Sequence, residues 1–313
     1  MTDTGHPSFF QQPALLEVYA RVPGMRPFRV EERRGGRVVA SAQGYLYREP
    51  GWKGWFSRRA IVQGGPCIES GATASDVAGL MRRLKDATSG AIYVEIRAER
   101  DYSPFDSVFR QEGFAYENRL NVLIPCDTPD AMWRRMDANR RRGLKQSEAA
   151  GLAFRYASAE SDVVEFYRIL VRRYREKVRK PLLPLSFFLE MYRSGIGRIL
   201  LAYKEDTLLG GMLLAELPGE RLYDWYVAAL DAEYPRYGIS TALYWQAMRY
   251  AASSEIPLLD TMGAGRPGET YGVRVFKERF GGRTVHCGRY VYKHRPALYR
   301  IGRLGLRLLR AFR

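Results

Sequence analysis

Residues 256–282 read IPLLDTMGAGRPGETYGVRVFKERFGG. A short apolar run, Ile256 to Leu259, meets a carboxylate at Asp260 and opens into a turn carrying Gly263, Gly265 and Gly268. A strand that stops at an acid and gives way to glycines is how α/β enzymes bring polar groups to the mouth of a sheet. An amphipathic segment follows and closes on Phe276, Lys277, Phe280, Gly281 and Gly282. Lys277, held by Phe276 and Phe280, is the most informative charge in the chain. The plainer alternative makes Asp260 a turn cap and Lys277 one surface lysine among many.

A chain of 313 residues is long enough for two packed domains. Its 46% hydrophobic and 13% aromatic content excludes a disordered class. Fifty Lys and Arg against 34 Asp and Glu leave a net charge of +16. Such an excess favours a polyanionic partner: nucleic acid, an anionic membrane face or a phosphorylated substrate. Cys67, Cys126 and Cys287 are widely spaced and odd in number. They form neither a disulfide framework nor a zinc pattern, so reduced thiols in a cytoplasmic protein are expected. His6, His286 and His294 show no metal-ligand spacing, and no metal is expected. No apolar run reaches the roughly 18 residues of a membrane span, and MTDTGHPSFFQQ lacks the pattern of a signal peptide.

From the beginning, 8–22 predicts a short helix capped by Ser8. Strands follow at 26–33 and 37–47, joined by a Gly35-Gly36 turn. Another short strand, Arg58 to Val62, ends in Gly64-Gly65-Pro66. Residues 74–87 carry the helical apolar period at Val77, Leu80, Met81 and Leu84, with Ser75 as the expected cap. AIYVEIR (91–97) is a strand; 104–111 is a short helix; Ala115 to Ile124 is a long strand. This order suits a mixed α/β sandwich better than a doubly wound parallel sheet.

Residues 128–147 predict one helix, capped by Thr128, with Trp133 and Met136 inward. Arg134, Arg135, Arg140, Arg141, Arg142 and Lys145 crowd it with cations. One reading is a solvated helix face; the other is a phosphate-contacting face, since guanidiniums bind phosphate bidentately. A second basic run, VRRYREKVRK (171–180), contains Arg172, Arg173 and Arg175 and ends the helix 161–179. Two such runs favour an extended anionic ligand, with Arg140, Arg141, Arg142, Lys145, Arg172, Arg173 and Arg175 as tRNA or phosphate contacts.

From Leu152 the pattern restarts: a strand (152–157), helices (161–179, 185–194), strands (197–204, 208–217, 222–230), a helix (239–253), a strand (256–260), a helix (270–279) and a strand (283–293). That is the element order of an acyl-CoA N-acyltransferase (GNAT) fold, and the first half repeats it loosely. In that fold a basic, glycine-containing loop opens a helix whose amides cradle the cofactor pyrophosphate. Here the loop holds Pro235-Arg236-Tyr237-Gly238-Ile239-Ser240, with the arginine one place late and serine in the last small position. The degraded cradle argues against ordinary acetyl-CoA chemistry.

The chain resembles the Fem-type aminoacyltransferases, the peptidoglycan-bridge-forming family of paired acyltransferase domains, and related N-acyltransferases. The resemblance rests on Gly64-Gly65-Pro66, the strand YVEIR (93–97), Glu112-Gly113-Phe114, Trp133 with Arg140-Arg141 and Gly143, Leu259-Asp260 with its glycine loop, and Phe276-Lys277 with Phe280-Gly281. It implies a mixed α/β fold of two tandem GNAT-like domains, each a mostly antiparallel mixed sheet flanked by helices. The expected boundaries are 1–147, 148–295 and a C-terminal helix, 296–313. The resemblance also implies that Lys277 stabilises the oxyanion at an acyl-transfer centre, that Phe276 positions it, and that Asp260 orients the amine or takes its proton. Tyr271, Arg274, Trp245, Arg236 and Gly238 are candidate substrate contacts. The co-substrate is aminoacyl-tRNA, or acyl-CoA, with no tightly bound cofactor. The helical-hairpin arm of several family members is missing between 180 and 240.

The last segment, PALYRIGRLGLRLLRAFR (296–313), puts Leu298, Ile301, Leu304, Leu308, Leu309 and Phe312 on one helical face. Arg300, Arg303, Arg307, Arg310 and Arg313 take the other. Such a helix packs on the first domain or lies on an anionic membrane surface. Three functions are carried forward. The leading one transfers an aminoacyl group to an amine of a cell-envelope or peptidoglycan precursor. The second uses an acyl-CoA or acyl carrier to acylate an amino sugar or amino acid. The third is a non-catalytic RNA- or membrane-binding protein on the same scaffold.

Overall fold

The computed structural model describes residues 8–49, 51, 54–178 and 181–311, with Phe56 and 305–311 described by backbone alone. In chain order the strands are β1 (Met25–Arg34), β2 (Arg37–Tyr47), β3 (Arg59–Gly64), β4 (Cys67–Ile68), β5 (Tyr93–Ala98), β6 (Ala115–Pro125), β7 (Ala153–Tyr156), β8 (Gly197–Lys204), β9 (Thr207–Leu217), β10 (Arg221–Ala229), β11 (Leu258–Asp260) and β12 (Arg283–Lys293). The helices are α1 (Pro13–Arg21), α2 (Gly54–Ser57), α3 (Ala74–Ala87), α4 (Asp106–Gln111), α5 (Pro129–Arg135), α6 (Ala138–Ala149), α7 (Glu160–Arg173), α8 (Leu185–Arg193), α9 (Ile239–Ser253), α10 (Gly272–Glu278) and α11 (Pro296–Ala311). The fold is mixed α/β with two compact units, as the tandem GNAT reading requires. One unit joins Met1–Arg119 to Cys287–Arg313; the other is Leu120–His286. The division falls inside β6 and β12, whereas the sequence suggested a break at 147/148. Residues 120–147 group with the second unit because the end of β6 pairs with β11 and Gly143 of α6 meets Thr241 of α9 closely.

In the first unit the strands run β1-β2-β3-β5-β12, with β4 on β2. Only β3 and β5 are parallel among its described pairings. Val77, Leu80, Met81 and Leu84 of α3 are fully buried with Val62, Val94 and Ile96. The cap of α3 is Thr73, not Ser75: its hydroxyl accepts from the Asp76 amide, and Asp76 returns the bond to the Thr73 amide. That reciprocal arrangement needs an acid three places on, which Thr73 has. In α11 the Tyr299 ring meets Tyr93 edge-on at 5.1 Å, while Ile301 and Leu304 are each 57% exposed. The expected faces beyond Leu304 lie outside the described side chains, and Phe312 and Arg313 outside the described residues.

In the second unit the order is β6-β11-β10-β9-β8-β7. β10 and β11 are parallel, and the other pairs antiparallel. Leu200, Ala202, Met212 and Leu214 share a core with Ile239, Leu243, Ala247 and Met248 of α9. A Cβ on the intervening Gly211 would meet Phe166 of α7, so successive positions serve opposite faces. The register of β9 against β10 slips between Asp224 and Tyr226, a bulge that re-aims side chains. The expected helix 128–147 is broken. Met136 is extended, and Asp137 starts α6 by accepting the Asn139 amide at 2.7 Å. Likewise α7 stops at Arg173 and continues as a π-helical turn, Tyr174–Val178; Arg179 and Lys180 of the basic run lie outside the described residues.

Candidate functional site

Asp260 ends β11 at 1% exposure. Its Oδ1 accepts from Asn121 Nδ2 at 2.7 Å and from the Met262 amide at 2.8 Å. Its Oδ2 accepts from Arg221 at 3.1 Å. Asn121 in turn accepts the Val122 and Gly263 amides, each at 2.8 Å. The turn that follows therefore has two amides, Met262 and Gly263, fixed by buried side chains. Met262 takes a left-handed φ of 57° and Gly265 one of 86°; at 265 a side chain would also strike Tyr271.

Lys277 is 6% exposed. Its Nζ donates to the carbonyls of Thr261 at 2.6 Å and Gly263 at 2.9 Å. Asp260 grips the amide side of the glycine turn and Lys277 its carbonyl side. Phe276 and Phe280 meet edge-on at 5.3 Å, and the Arg140 guanidinium lies over them, at 4.4 and 5.8 Å from the ring centres. Sequence spacing could not reveal this, because Arg140 arrives from α6. Burial and the neighbouring Arg279 charge lower the Arg140 pKa, and its Nη1 donates to Thr241 Oγ1 at 3.1 Å.

Beneath these rings lies a pair that the sequence reading missed. The Tyr244 ring stacks on Phe280 and meets Phe276 edge-on, both at 5.3 Å. Its hydroxyl donates to Asp224 Oδ2. Asp224 is 3% exposed, and its buried Oδ1 makes no hydrogen bond with the described residues. Burial raises the Asp224 carboxyl to about 6, against the lowering influence of Lys277 and the Tyr244 bond; Asp260 raises it further. The signal was present in LYDWYVAAL, where one acid interrupts an apolar strand, and Asn121 similarly interrupts LNVLI.

The other candidates scatter. Tyr271 caps α10, and Arg274 donates to the carbonyls of Arg266, at 3.0 Å, and Glu269; both brace the glycine turn. Trp245 meets Trp133 edge-on at 6.2 Å, both half-buried. Gly238, at φ 59°, is a packing position: a Cβ there would lie 2.3 Å from the Gly143 carbonyl. The Ser240 amide, in the first turn of α9, donates to Asp231 Oδ1 at 3.1 Å, and its hydroxyl also donates to Asp231. The start of α9 is thus covered by α6 and capped by the chain's own acid, while Arg236 is exposed.

Of the basic residues, Arg141 donates to the Met136 carbonyl at 2.9 Å, and Arg172 pairs with Glu176 and Glu233. Arg142, Lys145 and Arg175 are exposed, although Arg142 also donates to Asn139; Arg173 is half-buried. A shallow pocket of about 310 Å³ touches Val275 and Glu278 of α10 and Arg279 just after it, on the side opposite Lys277. Among the described residues there is no grouping fit to hold a metal ion, and no helix is long and apolar enough to cross a membrane.

Residues 134–277 match the family model of an acetyltransferase (GNAT) domain. Among solved structures, FemX is similar with a TM-score of 0.69 and 14% identity, over 95% of this chain and 96% of that one. L-PGS from Bacillus licheniformis follows at 0.60 and 15%, over 94% and 91%. A tandem GNAT protein from the clavulanic acid biosynthesis pathway is similar at 0.57 and 12%, over 87% and 84%. At these identities the likeness is one of fold. No curated protein sequence matches the chain. With a GNAT domain model matched over 134–277, Lys277 included, the protein is an acyltransferase of GNAT fold whose architecture is similar to that of FemX.

Proposed function

We propose that the protein transfers an aminoacyl group from aminoacyl-tRNA to an amine of a cell-envelope precursor, such as a peptidoglycan precursor, forming an amide. The observation that carries this choice of donor is the start of α9. An acyl-CoA would place its pyrophosphate on those amides, but Gly143 lies against Gly238 and Asp231 holds Ser240. A bound carboxylate repels a second anion, and the covering helix excludes its bulk. A donor whose phosphates lie elsewhere avoids both, and the exposed Arg142, Lys145, Arg175 and Arg236 offer such a polyanion its charge.

In this reading the acceptor amine attacks the aminoacyl ester carbon, and the carbonyl oxygen gains negative charge. Lys277 stabilises that oxygen from its seat on the glycine turn. Phe276 packs beside it, Asp260 holds the turn through which the acyl group enters, and Tyr271 and Arg274 brace the same turn. The ribose oxygen of the tRNA leaves as the amide forms and takes up the proton that the attacking amine gives up. We place the protein in the cytoplasm, at the inner face of the membrane: exposed Ile301 and Leu304 beside Arg300 and Arg303 give α11 the makeup of an interfacial helix.

The test offers charged tRNA and acyl-CoA separately, each with candidate amines, and follows which donor is consumed. Consumption of charged tRNA alone is expected. Consumption of acyl-CoA alone would replace this reading with an acyl-CoA-dependent N-acyltransferase acting on an amino sugar or amino acid.

A further inference from the structure

Asp224 lies one residue beyond Tyr223, which pairs with Asp260 across the parallel β10–β11 ladder. The bulge in β10 follows immediately. Charged and titratable groups face it from three elements: Lys277 of α10, Tyr244 of α9 and Asp260 of β11. Tyr271, at the start of α10, acts on Tyr244 in turn. Asp260 already accepts three hydrogen bonds, one from Arg221, so its charge is answered. Asp224 accepts one described hydrogen bond, on Oδ2, and its Oδ1 is buried without one. Burying a carboxylate in this way is costly unless an opposite charge lies near. The cation whose field reaches it is Lys277.

We propose that Asp224, clamped by Tyr244, is a positioning residue for Lys277: its carboxylate is the counter-charge that keeps the ammonium seated on the Thr261 and Gly263 carbonyls. The proposal rests on the transfer centre at Lys277 but not on the identity of the donor. Tyr244 has a double task, because the same ring that stacks on Phe280 also orients the carboxylate. Protonation of Asp224 removes that counter-charge from Lys277 without any change in the lysine itself, while Asp260 stays paired with Arg221. The device therefore ties transfer to the ionised form of a buried acid.

Two measurements test this. The first needs no substrate: the Asp224 carboxyl is titrated by carbon NMR in the wild type and in Lys277→Met. Removal of the cation should move its titration to higher pH; an unchanged titration overturns the proposal, whichever donor the enzyme uses. The second follows transfer against pH with the donor that turns over. Asp224→Asn should lower kcat at least tenfold at pH 8 with KM little changed and abolish the acid limb near pH 6, while the melting temperature stays equal or rises. Tyr244→Phe should shift that limb upward, because the lost hydroxyl had favoured the ionised acid. A variant whose rate falls only in step with its stability, or an Asn variant that keeps the limb, overturns it. A protein with no transfer from any donor fails the proposed function and leaves the titration to decide.

Discussion

Lys277 is the residue on which the proposed chemistry turns. Lys277→Met keeps much of the aliphatic stem and deletes the ammonium. Transfer should fall by about 10²–10³-fold, the usual effect of losing one oxyanion donor, with donor KM much less affected; steady-state kinetics give both. Asp260→Ala should act on the fold as well, since it removes the 3.1 Å partner of the largely buried Arg221 and the acceptor of Asn121 Nδ2. Breaking a buried pair from one side costs about 3–5 kcal/mol, measurable as a lowered urea midpoint. Asp224 gives stability an unusual pH dependence. Its carboxyl is raised from 3.8 to about 6 in the fold, so the folded state holds the proton more tightly than the unfolded chain does. The associated stability is complete below about pH 4 and lost as pH rises through about 6, on the order of 3 kcal/mol in all. Asp224→Asn should flatten that part of the profile in denaturant titrations.

At the scale of elements, the proposed choice of donor rests on the junction of α6 with α9. Gly238→Ala would force a left-handed φ on a residue with a Cβ and drive that Cβ into the Gly143 carbonyl. Strain and overpacking together should cost about 2–4 kcal/mol. Gly143→Ala meets only the Thr241 side chain at 3.2 Å and should cost less, so chemical denaturation of the two variants separates backbone from side-chain contact. The element order was legible because strands and amphipathic helices each obey one short period, and 239–253 was predicted to the residue. The Asp260 turn and Lys277 were legible for the same reason, as local features of one stretch. What escaped was brought from elsewhere: Arg140 over the phenyl rings, Asn121 on Asp260, Tyr244 on Asp224. The helix break at Met136 was missed because a string of arginines hid the capping role of Asp137.

For the whole molecule, +16 spread over 313 residues makes electrostatics the term most easily tested. Binding to bulk tRNA should weaken steeply with salt, since counterion release scales with the number of phosphates neutralised. Filter binding between low and physiological salt measures the slope, and a flat response would remove the case for a tRNA donor. The path of the chain has a different outcome. The first unit needs Arg289 to Lys293 of β12 to pair with β5, and these residues follow the entire second unit. A ribosome therefore delivers the material for Leu120–His286 before the strand that completes its N-terminal companion. The unit that holds Lys277 is the one able to mature first during synthesis, and the strands of the first unit must wait, incompletely paired, until β12 has been made.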